Sequence, residues 1–212
     1  MKTDDLIVAL TADTETVSPP IKRTLWLAAG VGAVGAAILF FSILGLRPNL
    51  AASLAEPRFL FKWLLTLTLL ASAMVLVLQL ARPETVPGAR FLALVAAPAL
   101  LAAGIGAELI SLPSSDWVRN LVGSNALVCT VYIPILSGLP LAALIYALRQ
   151  GAPAQPALAG AVAGLAAAGI GATLYATHCQ DDSPLFMAVW YVVAVIIVSF
   201  AGAILGARLL RW

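Results

Sequence analysis

Six long apolar runs separated by short polar breaks dominate the chain, covering residues 24–46, 59–81, 91–110, 121–148, 157–177 and 185–210. Each reaches the roughly 20 residues that a helix needs to cross a bilayer's hydrocarbon core. None shows the alternating pattern, about 10 residues long, of a membrane β-strand. The breaks read LRPNLAASLAEPR, RPETVPGAR, SLPSSDWVRN, RQGAPAQP and HCQDDSP, and each carries the proline expected where a helix must stop. The fourth run is the longest, and Pro134 and Pro140 within it predict a kink. The pattern predicts an all-α integral membrane protein: a six-helix transmembrane bundle in residues 24–212 behind a polar segment, residues 1–23.

Composition narrows the function. Of 212 residues, 62% are hydrophobic and 10% charged, with a mean hydropathy of +1.01. A soluble domain is about a quarter charged, so soluble enzymes are excluded. A disordered chain, which needs low hydrophobicity, is excluded as well. The net charge of +2 comes without a basic patch, which argues against direct nucleic-acid binding. There is no nucleotide-binding loop, His-Glu-x-x-His, Gly-x-Ser-x-Gly or paired-carboxylate motif, so no catalytic residue is expected and no cofactor is implied beyond a transient soft metal ion as a signal.

Lys and Arg set the orientation. Lys2, Lys22, Arg23, Arg82, Arg90, Arg149, Arg208 and Arg211 fall on one side, and Arg47, Arg58, Lys62 and Arg119 on the other. The richer side should be cytoplasmic, which places both termini inside. Trp26 and Trp212 then suit the inner interface, and Trp63 and Trp117 the outer one. Residues 1–23 form a cytoplasmic N-terminal segment that lacks the pattern of a signal peptide. Thr3 can cap a short helix there, with Asp4 and Asp5 in its first turn and Leu6, Ile7 and Leu10 on one face. So short a helix orders best against a partner's groove; a solvated tail is the other reading. Gly32, Gly35, Gly160, Gly164, Gly169, Gly171, Gly202 and Gly206 allow close helix approach, either within the bundle or along a dimer seam.

Few groups are left to carry chemistry. Cys129 and Cys179 are the only cysteines, and both map to the extracytoplasmic half, where disulfides persist. They read as buried small apolar side chains or as a thiol pair sensitive to oxidants or soft metals. His178 beside Cys179 makes Cys129, Cys179 and His178 a candidate soft-metal site, provided the helix ends there. Lys62 and Glu108 are the intramembrane ionisable residues, and an ion pair between them would relieve the cost of their burial. A membrane thiol–disulfide redox protein predicts a Cys-x-x-Cys pair, whereas these cysteines stand 50 positions apart. A small transporter predicts broken helices near the midplane, for which the proline-bearing fourth run is the candidate.

The stretches GSNALVCTVYIPILSGLPLAALIYALRQGAP, PALAGAVAGLAA, YATHCQDDSPLFMAVWY and GARLLRW resemble the NrsF (negative regulator of sigma F) family of membrane anti-sigma factors. So do the opening MKTDDLIVALTAD with Val17, Pro19 and Pro20, and RPNLAASLAEPRFLFKWL. The most specific parts are GSN…C and HC…DSPLF. The resemblance implies a six-span protein of the bacterial inner membrane that holds an extracytoplasmic-function sigma factor inactive. It also implies two sensing cysteines for heavy-metal and oxidant stress, matched here by Cys129 and Cys179. Topology, rather than the resemblance, assigns sigma-factor binding to Leu6, Ile7 and Leu10.

Overall fold

The computed structural model describes residues 20–82 and 89–211. Residues 1–19, with Leu6, Ile7 and Leu10, lie outside the described part. The elements are α1 (Ile21–Ile43), α2 (Leu50–Ser53), α3 (Pro57–Leu80), α4 (Phe91–Ser111), α5 (Ser114–Val122), α6 (Ala126–Leu148), α7 (Pro156–Ala176) and α8 (Pro184–Leu209). There is no strand among the described residues. Six of these helices (α1, α3, α4, α6, α7 and α8) are long and apolar enough to cross a membrane. Their outward faces carry Val31, Ile38, Phe41, Val131 and Phe200 exposed, the surface expected where the surrounding solvent is hydrocarbon rather than water.

Helix α7 is the hub, packed against α3, α6 and α8, while α1 packs on α6 and α4 mainly on α3. The alanines and glycines of α7 explain its place. A Cβ on Gly160 would meet the Gly202 carbonyl and the Gly206 backbone, one on Gly164 the backbone of Val198 and Ser199, and one on Gly171 the Ile133 carbonyl. Gly32 of α1 lies in the same way against the Pro140 backbone of α6. Without a hydrophobic driving force between helices in lipid, such backbone approach supplies the attraction. Of the two roles open to these small residues, packing inside one bundle is therefore the one these glycines perform.

The fourth apolar run differs from its expected bounds of 121–148. Gly123 adopts φ +59°, a left-handed conformation that glycine tolerates without penalty. One helix therefore ends at Val122 and the next starts at Ala126. The break SLPSSDWVRN is correspondingly mostly helix, as α5. Helix α6 then remains helical through Pro134 and Pro140. With six alternating long helices, the start of α1 and the end of α8 share one end of the bundle. The α1–α3 connection, α5 and the α7–α8 loop share the other, here termed the thiol end.

Candidate functional site

The site is built around the α7–α8 loop, residues 177–183. Helix α7 stops where the amides of His178 and Cys179 both reach back to the Tyr175 carbonyl at 3.0 Å. Helix α8 restarts with Ser183 as its N-cap, accepting from the Leu185 amide at 3.2 Å, and with Pro184 at the first helical position. This geometry turns Cys179 inward. Cys129 enters from the first turn of α6, and the two sulfurs lie 3.8 Å apart. Both are free thiols, with relative exposures of 0% and 1%. A disulfide is about 2.05 Å long, so the thiols touch but are not bonded. Tyr175, Phe186, Met187 and Tyr191 complete the apolar cluster around them.

Charged groups close the loop over the sulfurs. The Asp181 carboxylate accepts from the Asn125 amide at 2.8 Å, from Asn125 Nδ2 at 2.9 Å and from the Ser124 amide at 3.1 Å. It thus sits at the N-terminus of α6, where unsatisfied amides and the helix dipole favour an anion. Asp182 pairs with Arg47 Nη1 at 2.9 Å and with Lys62 Nζ. The fully buried Lys62 also donates to the carbonyls of Cys179 and Asp181, each at 3.0 Å. Arg47 lies over the Phe59 ring, 5.1 Å from its centroid. Glu108 accepts from Arg58 Nε at 3.1 Å and from Ser183 Oγ at 3.0 Å. A polar cavity of about 660 Å³ opens above the loop, lined by Arg47, Arg58, Arg119, Asp181, Asp182 and Ser183 among others. Water therefore reaches the lid while the sulfurs stay buried beneath it.

Two expectations are corrected. The Lys62–Glu108 pair is not formed, because Asp182 on the inward-folded loop reaches Lys62 and Arg58 takes Glu108. Nor does His178 join the cysteines: its Nδ1 lies 3.0 Å from the Gly45 carbonyl. Among the described residues, no three His, Cys, Asp or Glu side chains converge on a metal position. As sequence neighbours at a helix end, His178 and Cys179 point apart, one toward the α1 turn and the other toward α6. The sulfur pair alone is left as a donor set.

The hydrogen bond from Cys129 and, against the effect of burial, the nearby Lys62 ammonium hold the Cys179 thiol below its ordinary pKa. Cys129→Ala removes the larger of these influences. The pH midpoint for reaction of Cys179 with a small neutral thiol reagent should then rise, as followed by mass spectrometry across a pH series. An unchanged midpoint would show that Cys129 does not tune its neighbour.

The sequence's most specific segments, Gly123-Ser124-Asn125 with Cys129 and His178-Cys179 with Asp182 to Phe186, meet at this loop, and Arg47 and Lys62 of RPNLAASLAEPRFLFKWL grip it from the side. The profile of the family described as "Negative regulator of sigma F" (NrsF) matches residues 10–212. The chain belongs to the NrsF family. It is 37% identical to the anti-sigma-F factor NrsF of Caulobacter vibrioides and 33% identical to the probable anti-sigma-F factor NrsF of Azospira oryzae. Each alignment covers 100% of both chains. No solved structure matches this NrsF-family chain.

Proposed function

We propose that this NrsF-family chain is an anti-sigma factor of the bacterial inner membrane, with both termini cytoplasmic. It sequesters an extracytoplasmic-function sigma factor and releases it when the thiol pair is oxidised or captures a soft metal ion. The observation that carries this reading is the contact of Cys129 with Cys179 at 3.8 Å, beneath a loop tied to several helices. A two-electron oxidant would take two electrons and two protons from the pair as both S–H bonds break and one S–S bond forms. The sulfurs must then close to about 2.05 Å, drawing the α7–α8 loop toward α6. A soft cation held between the two thiolates is the other input, suited to sulfur ligands.

Either event moves the peptide that Lys62 and Arg47 grip, and so loads α3 and the turn that ends α1. The opposite end of α1 leads to residues 1–19, where Leu6, Ile7 and Leu10 supply the face for the sigma factor. A signal crosses only if the bundle has two arrangements that the thiol state biases.

The test is a sigma-dependent reporter in cells carrying Cys129→Ser or Cys179→Ser, challenged with hydrogen peroxide and with a soft metal salt. Loss of induction is expected in both variants, and full induction in both would rule out thiol sensing. For the tail, deletion of residues 2–20 should abolish co-purification of the sigma factor. Retained binding would move the contact to the cytoplasmic loops.

A further inference from the structure

Helix α5 has no buried residue, although its sequence SSDWVRNLV is strongly two-faced. Trp117, Val118, Leu121 and Val122 recur at the spacing of one helical face, and Ser115, Asp116, Arg119 and Asn120 occupy the other. Val118 is 71% exposed and Val122 48%. In water such a face would be a liability. At 1.5 Å per residue the helix is about 14 Å long, less than half a bilayer's hydrocarbon core, so it does not cross.

Its neighbours identify what covers it. Leu112 and Pro113 join it to α4, whose last turn leaves Ile110 89% exposed, and Gly123 to Asn125 join it to α6, whose first turn leaves Leu127 77% exposed. Exposed apolar side chains of the two long, lipid-crossing-length helices therefore stand immediately before and after the exposed apolar face of α5 in the chain. On its other side, Arg119 and Asn120 line the polar cavity over the thiol loop.

The C-terminal end of α5 is wired to the site. The Leu121 carbonyl accepts from Trp190 Nε1 of α8 at 3.1 Å. The next residues, Ser124 and Asn125, hold the Asp181 carboxylate two positions from Cys179.

We propose that α5 docks through Trp117, Val118, Leu121 and Val122 on the lipid surface at the thiol end. This docking keeps Ser124 and Asn125 seated on Asp181 and the thiols covered. The helix is an interfacial anchor of the kind that amphipathic, Trp-bearing helices form, and its occupant is the headgroup–acyl boundary of the bilayer.

Full-length chain in phosphatidylcholine vesicles, brominated either near the headgroups or near the chain ends, tests the docking by tryptophan quenching. The signal of Trp117 is isolated by difference from Trp117→Phe. That difference should be quenched by shallow bromines more than by deep ones, and spared by aqueous iodide. Quenching by iodide with no effect of either lipid would overturn the docking. Val118→Asp then tests the coupling: a small maleimide should modify Cys179 about tenfold faster, as local opening becomes easier, while Val118→Leu keeps the original rate. Since Val118 is exposed, neither change disturbs the core. An unchanged rate in Val118→Asp vesicles whose Trp117 has left the lipid would overturn the coupling and leave the docking standing.

Discussion

Replacing Lys62 by methionine should loosen the thiol end more than any other single side-chain change at the site. The ammonium is fully buried, pairs with Asp182 and donates to two loop carbonyls at 3.0 Å. Removing one partner of a buried pair typically costs about 3–5 kcal/mol, because the other charge stays behind without compensation. Asp182 would keep Arg47, so the lower part of that range is expected. Thermal unfolding in detergent should show a clearly lower midpoint for Lys62→Met, with Cys179 open to alkylation well below it. Adding Asp182→Asn should deepen the loss, since Arg47, 11% exposed, then loses its carboxylate partner as well. Arg119→Met provides the contrast: its side chain is exposed at the rim of the polar cavity, and an exposed charge contributes about 0–1 kcal/mol. Equal midpoints for Lys62→Met and Arg119→Met would show that burial does not set the strength of these charges.

The fold was readable because hydrocarbon imposes one rule, a long apolar run for each crossing, and the six runs obey it closely. The ends were less so. Hydropathy averages over a window and cannot see that Gly123 turns the chain, so α5 was divided between a polar break and the fourth run. The helical spacing of Trp117, Val118, Leu121 and Val122 was present in the sequence, but the helix is too short to register as a crossing.

The site shows a parallel division. That the cysteines share one end follows from counting crossings; their contact does not, because 50 residues separate them. Lys62 and Glu108 stand out as charges inside apolar runs, whereas Arg47, Arg58 and Asp182 stand in the breaks, where the two arginines serve only as markers of orientation. The missing signal was charge balance. Around one loop Arg47 and Lys62 pair with Asp182 and Arg58 with Glu108, while the Asp181 carboxylate is held by the Ser124 and Asn125 amides. Burial at a membrane edge demands such matching, and it reaches residues that periodicity ignores.

The second large effect is expected at Gly202, where α8 crosses α7. A Cβ there would meet the Gly160 carbonyl and then the Gly164 Cα at 3.1 Å, atoms of a backbone that cannot rotate aside. Overpacking of a side-chain core costs about 1–3 kcal/mol, and backbone neighbours put Gly202→Leu at or above the top of that range. Gly30 and Gly106 are the matched controls, since a Cβ on either meets nothing within 4 Å. Gly202→Leu should lower the unfolding midpoint steeply and reduce the monodisperse fraction in size-exclusion chromatography, while Gly30→Leu and Gly106→Leu behave as the parent. The opposite pattern, an intact midpoint with altered oligomer size for Gly202→Leu, would mean that the glycines face a second copy of the chain. The small residues of α7 and α8 are then under a constraint separate from sensing: they hold the hub at a spacing that lets Tyr175 and Cys179 reach the first turns of α6. A change in that spacing displaces the thiols from each other without touching either one.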